Sequence, residues 1–165
     1  MDWSNYIRHG TTQDFTKLDW SWSNYPITKE KFKQNIVKGQ QDFLVVEDEG
    51  KLLGELHIVW NSVDEEEANG SNRAYLCTFR VHPMYRRKGM GGALMESALK
   101  LVKKRGFYEV SIGVRKDDED VKSLYKRWGF VDFIKNKTVD HHNFEAENKY
   151  KEQEIPIELY VKKLN

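Results

Sequence analysis

The run Arg86-Arg87-Lys88-Gly89-Met90-Gly91-Gly92 puts three basic side chains beside three glycines. That combination suits an oxyanion. Glycines let successive backbone N–H groups converge on one concavity, and a helix opening there adds unsatisfied donors and about half a positive charge. From Arg86 to Arg105 there are seven basic residues against one acidic, although the whole chain carries only +1. Known nucleotide strings do not fit. No Gly-x-x-x-x-Gly-Lys-Ser/Thr occurs, and a Gly-x-Gly-x-x-Gly read from Gly89 fails at Leu94. For the glycines taken alone, an ordinary strand–helix turn with a basic rim is the competing reading.

The elements that must position this run follow from periodicity. Met90, Ala93, Leu94, Ser97, Ala98, Leu101 and Val102 recur at helical spacing, and Gly106 stops the helix they predict after Lys103-Lys104-Arg105. Strands are predicted on either side, over 73–81 and 109–114, so a right-handed crossover makes them parallel. Upstream, Tyr6-Ile7-Arg8 reads as a short strand. Residues 14–37 read as helical, broken at Pro26, and 42–60 as a hairpin turning at Asp48-Glu49-Gly50. Downstream, Val121, Leu124, Tyr125 and Trp128 form a short apolar helical stripe ended by Gly129. Strands are expected over 130–134 and 157–161, with 135–156 a long polar loop. The order β–α–α–β–β–β–α–β–α–β–β predicts an α/β (α+β) fold, a mixed central sheet with helices on both faces.

Composition narrows the classes. A chain of 165 residues without repeats or linkers reads as one domain, 1–165. The lone Cys77 excludes an intrachain disulfide and Cys-rich metal sites, and favours a reducing cytoplasm. No segment reaches the ~18 apolar residues of a membrane span, and the start does not read as a signal peptide. A net charge of +1 argues against a general nucleic-acid binder. The acidic runs 64–67 and 117–120 read as solvated faces.

The segment Val81-His82-Pro83-Met84-Tyr85-Arg86-Arg87-Lys88-Gly89-Met90-Gly91-Gly92-Ala93-Leu94 resembles the acetyl-CoA-binding motif of the GNAT N-acetyltransferases, Arg/Gln-x-x-Gly-x-Gly/Ala. Downstream, Leu124-Tyr125-Lys126-Arg127-Trp128-Gly129-Phe130 resembles the family's Leu-Tyr-x-x-x-Gly-Phe segment. The resemblance is best over 74–131. It implies the GNAT fold and acetyl transfer from acetyl-CoA to a primary amine, with no metal. It also implies that backbone at Arg86, Arg87, Lys88, Gly89, Met90, Gly91 and Gly92 holds the pyrophosphate. Backbone at Phe79, Arg80 and Val81 would pair with the pantetheine arm, the Phe79 amide polarising the thioester carbonyl. Tyr125 matches the family's general acid, although its place on the apolar stripe also suits packing. Asp118 stands where the family often has an Asn that contacts the cofactor.

One departure concerns the base. The family often carries a glutamate on the strand before the loop, and 73–81 has no carboxylate. Glu55 and His57 on the neighbouring strand are substitutes, each equally readable as a solvent-facing strand residue; water alone is the third choice. His141-His142 falls in the late loop that in this fold often borders the acceptor site, but neighbours in an extended segment point apart, so a metal pair is not expected. Trp20, Trp22 and Tyr25 either wall the acceptor pocket or pack as core. The competing function is a non-catalytic acyl-CoA-sensing or protein-interaction module on the same fold. A homodimer is common in the family.

Overall fold

A computed structural model of the chain describes residues 2–145 and 152–165, the side chains of 152–155 excepted. One mixed sheet is built from β1 (Ile7–His9), β2 (Gln41–Asp48), β3 (Lys51–Val59), β4 (Arg73–Val81), β5 (Glu109–Arg115), β6 (Asp132–Val139) and β7 (Glu152–Lys163). Its spatial order is β1-β2-β3-β4-β5-β7-β6. The helices are α1 (Asp19–Trp22), α2 (Pro26–Val37), α3 (Met90–Lys104) and α4 (Glu119–Arg127). No helix among the described residues is long and apolar enough to cross a membrane.

The β2–β3 hairpin turns on Glu49 (φ 51°) and Gly50 (φ 78°), the paired left-handed residues of a type I′ turn whose twist matches the strands it joins. The crossover through α3 makes β4 and β5 parallel, as its sequence predicts, and the other strand pairs are antiparallel.

Both faces of the sheet are covered. Along β2, Leu44 and Val46 join a core under α3, while Phe43 and Val45 join a second core under α1 and α2. This alternation is what a strand buried on both faces requires. From α3, Met90, Leu94, Met95, Ala98 and Val102 are buried against the sheet. Phe15, Leu18, Trp22 and Phe32 fill the other layer.

The C-terminal third departs from the sequence expectation. Much of the expected 135–156 loop is strand, because β6 runs on to Val139 and β7 begins at Glu152; residues 146–151 lie outside the described residues. Charge pairing holds this polar strand in place. Lys135 Nζ lies 3.0 Å from Asp64 and 2.9 Å from Glu66, and Lys137 Nζ pairs with Asp64 and lies 3.1 Å from Glu67. The run 64–67 is therefore only in part the solvated face it resembles: Glu65 and Glu66 are exposed, but Glu67 is only 1% exposed.

Candidate active site

The β4–β5 ladder starts at Arg73↔Glu109 and stops at Leu76↔Ile112. Beyond that point β4 stays with β3 as far as Val81↔Gly54, while β5 follows β7 to Arg115↔Ile157. The two parallel strands thus part. A bulge at Thr78 (φ 47°) sets two residues of β4 against Leu56 and bends the strand at the divergence. Phe79, Arg80 and Val81 lie on the edge that no strand of the described residues pairs from the β5 side. Such an edge can accept an extended, amide-bearing chain as an added strand.

Past the end of β4, the glycine-rich loop opens α3. Arg87 (φ 63°) and Gly89 (φ 84°) are left-handed with Lys88 between them, and Gly89 is the N-cap of the helix. This alternation turns neighbouring amides toward one concavity. The loop is anchored where Trp3 Nε1 donates to the Lys88 carbonyl at 3.0 Å and Arg86 Nε to the Val81 carbonyl at 3.1 Å. The side chains of Arg86, Arg87 and Lys88 are exposed, and Lys88 sits 5.7 Å over the Tyr85 ring. The Met90 side chain is core, so only its backbone faces the loop. Phe79 and Trp128 lie beside Gly91 and Gly92. An open strand edge leading to a basic anion nest fits the arm and phosphates of a coenzyme A thioester.

A cavity of about 330 Å³ lies at the divergence, lined among others by Cys77, Phe79, Arg80, Tyr125 and His142. Tyr125 stacks near Trp128 at 6.1 Å. Burial, and then the charge of Asp118, push its phenol up to about 12, so it keeps its proton at neutral pH. Asp118 caps α4, its Oδ1 accepting from the Val121 amide at 3.2 Å. Burial also pushes the Cys77 thiol up, which removes the thiolate a covalent route needs.

Glu55 and His57 are not solvent-facing strand residues: both are 0% exposed, and neither lines this cavity. Gln41 Nε2 donates to His57 Nδ1 at 3.1 Å, which leaves Nε2–H to donate to Glu55 Oε1 at 2.7 Å, where Trp22 Nε1 also donates at 3.0 Å. That pattern holds a neutral imidazole. Burial depresses its pKa, outweighing the opposing effect of Glu55. The early aromatics divide. Trp22 is core, Trp20 hydrogen-bonds the Leu52 carbonyl, and Tyr25 reaches the cavity beneath the Arg80 guanidinium, 4.8 Å away. Arg80 is itself held by the Ser21 carbonyl at 2.6 Å.

The segment after β6 closes the cavity from the other side. Glu145 accepts from the Thr28 amide at 2.5 Å and Thr28 Oγ1 from the Phe144 amide at 2.8 Å, joining this segment to the start of α2. His142 Nε2 meets Glu67 Oε1 at 2.9 Å, and its ring stacks 4.9 Å from Tyr75. In the sequence His142 stands out in its His-His pair, while Glu67, 75 positions away, is only one member of an acidic run. Among the described residues no group of three His, Cys, Asp or Glu could hold a metal ion.

Residues 6–130 match the Acetyltransferase (GNAT) family. A Bacillus subtilis (strain 168) protein, named provisionally as a [ribosomal protein bS18]-alanine N-acetyltransferase, is 29% identical over 105 residues, 63% of this chain and 64% of that protein, just under two thirds of its length. The spermidine N(1)-acetyltransferase of Thermoplasma acidophilum is 29% identical over 136 residues, 79% of this chain and 75% of that protein. Among solved structures, a GNAT family acetyltransferase from Elizabethkingia anophelis with acetyl-CoA bound superposes with a TM-score of 0.67 over 97% of this chain and 99% of that one; at 16% identity it speaks for the fold.

Proposed function

The chain belongs to the GNAT acetyltransferase family and is an acyltransferase, and on that premise we propose that it moves an acetyl group from acetyl-CoA to a primary amine by direct attack. The observation that carries this reading is the parting of β4 and β5 beside a left-handed basic loop, with Tyr125 lining the cavity at the junction.

Backbone N–H groups from Arg86 to Gly92 bind the pyrophosphate, and the exposed Arg86, Arg87 and Lys88 side chains add charge. Backbone at Phe79, Arg80 and Val81 orients the pantetheine arm, and the Phe79 amide donates to the thioester oxygen as negative charge grows there. Tyr125 holds its proton toward the departing sulfur. Because a phenol near 12 is a weaker acid than a thiol of pKa about 8.5, proton transfer to the departing thiolate is uphill, and Tyr125 acts as a hydrogen-bond donor that stabilises the developing negative charge on sulfur. Asp118 orders the first turn of α4, which carries Tyr125. The protonated Cys77 supports a single transfer over an acyl-enzyme. The two relatives are named for an alanine of ribosomal protein bS18 and for spermidine, so both an alanyl peptide and a polyamine are proposed acceptors. The cytoplasm is the proposed setting.

Calorimetry with acetyl-CoA tests the cofactor site. Saturable one-to-one binding that weakens with salt is expected; no binding at physiological salt contradicts the reading.

A further inference from the structure

The family's usual carboxylate is missing from β4, and Glu55 and His57 are sealed in the core. The amine must nevertheless lose a proton, because a free alkylammonium has a pKa near 10.4. We propose that His142 is the general base for the acceptor amine and that Glu67 is its positioning residue. This assignment rests on the acetyl-transfer reading above.

The other ionisable groups on the cavity wall are unsuited. Cys77 and Tyr75 are held protonated by burial, and the Tyr25 phenol packs beneath the Arg80 guanidinium. Tyr125 is the donor to sulfur. Arg80 and Arg115 offer no lone pair. Asp140 is tied into the turn, accepting from the His142 backbone amide at 2.9 Å, and from there its charge draws the ammonium group into the cavity. Imidazole is the side-chain base matched to neutral pH.

Glu67 supplies what such a base requires. Its Oε1 takes the Nε2–H of His142 at 2.9 Å, which fixes the tautomer and leaves the Nδ1 lone pair free to accept. Burial pushes the Glu67 carboxyl up, but His142, Lys137 and Ser62 together hold it below the usual glutamate range, so it stays an acceptor. Ser62 Oγ donates to Glu67 at 2.8 Å, and Lys137 Nζ lies 3.1 Å from its other oxygen. The charges and titrating groups around His142 are therefore Glu67, Lys137, Asp64, Asp140, His141 and Tyr75, from the β3–β4 connection, β4, β6 and its own segment.

The step balances. His142 Nδ1 removes one proton from the ammonium group, and the freed amine forms the N–C bond. The C–S bond breaks as Tyr125 hydrogen-bonds the departing thiolate. The second amine proton passes through solvent to that thiolate, and His142 releases its own to solvent. An ammonium ion and a thioester thus become an amide, a thiol and one proton.

The experiment compares wild type, His142→Gln, His142→Ala and Glu67→Gln with spermidine and with a peptide bearing an N-terminal alanine, scoring CoA release across pH. His142→Gln is expected to lower kcat/KM about 10²-fold and to abolish the acid limb of the wild-type pH profile. Its calorimetric Kd for acetyl-CoA should stay within about twofold, since the His142 ring contacts Glu67 and Tyr75 rather than the Phe79–Val81 edge or the 86–92 loop. Added imidazole should restore part of the rate to His142→Ala. Glu67→Gln should shift the acid limb, which loss of a merely structural tie leaves in place. Wild-type turnover that persists unchanged in His142→Gln, or a retained acid limb, overturns the assignment alone. No wild-type turnover with either acceptor or with a panel of simple primary amines overturns the acetyl-transfer reading and this assignment with it.

Discussion

His57 Nε2 sits 2.7 Å from Glu55 Oε1 in a space sealed by Phe15, Trp22, Phe32 and Phe43, the last stacked on the imidazole at 4.5 Å with 4° between the planes. The pair looks catalytic on a strand diagram and is structural in space. It ties β3 to β2 through Gln41 and to α1 through Trp22.

That burial makes stability depend on pH. The native imidazole titrates below its unfolded value of 6.5, so in the window beneath that value the unfolded chain binds a proton that the folded chain refuses. Stability is then full above about pH 6.5 and falls as pH drops, with a limiting slope of about 1.4 kcal/mol per pH unit. Urea unfolding across this window should display the slope, and His57→Gln should flatten it at some cost in stability. An equal slope in the variant would assign the effect to other groups.

Gly89 is left-handed at φ 84° with nothing within 4 Å of where a Cβ would stand. Gly89→Ala therefore suffers from backbone conformation rather than from a clash. The substitution should cost about 1–2 kcal/mol and relax the loop toward right-handed geometry, turning amides out of the nest. The expected readout is a weaker acetyl-CoA Kd with little change in kcat at saturation. An unchanged Kd would mean that the nest does not hold the phosphates.

Tyr125→Phe keeps the stacking on Trp128 and removes only the hydroxyl. A fall in kcat of about 10²-fold, near the lower end for proton transfer, is expected with the acetyl-CoA Kd preserved. A variant turning over at the wild-type rate would return Tyr125 to a packing role.

Direct attack leaves no acetyl group on the enzyme. Intact-protein mass spectrometry after incubation with acetyl-CoA and no amine should find Cys77 unmodified, because its thiol, though it lines the cavity, stays protonated. A stoichiometric acetyl thioester at Cys77 would replace direct attack with a two-step route.

The sequence disclosed elements whose signals are local. The stripe of α3 repeats at helical period and is buried as that period requires. Glu49-Gly50 carries its own turn chemistry, and the crossover rule makes β4 and β5 parallel. What stayed hidden depends on distant partners. Nothing local in β7 places it between β5 and β6. The second half of β6 reads as loop because Lys135 and Lys137 owe their burial to Asp64, Glu66 and Glu67 rather than to an apolar face. Glu55 and His57 read as exposed because alternation with apolar neighbours looks alike whether the second face meets water or, as here, α1 and α2. The loop and Tyr125 were legible from short motifs. The Glu67–His142 pair was not, because its halves lie in separate connections that only the folded sheet brings together.

Acetyl transfer to an amine sets one CoA thiol free for each amide formed. Purified protein with acetyl-CoA, assayed for free thiol against spermidine, an N-terminal alanyl peptide and a panel of simple primary amines, should release CoA in proportion to enzyme and acceptor, with the acetyl group recovered on the amine nitrogen. Saturable acetyl-CoA binding accompanied by no release above the no-amine background, for every acceptor, would contradict it.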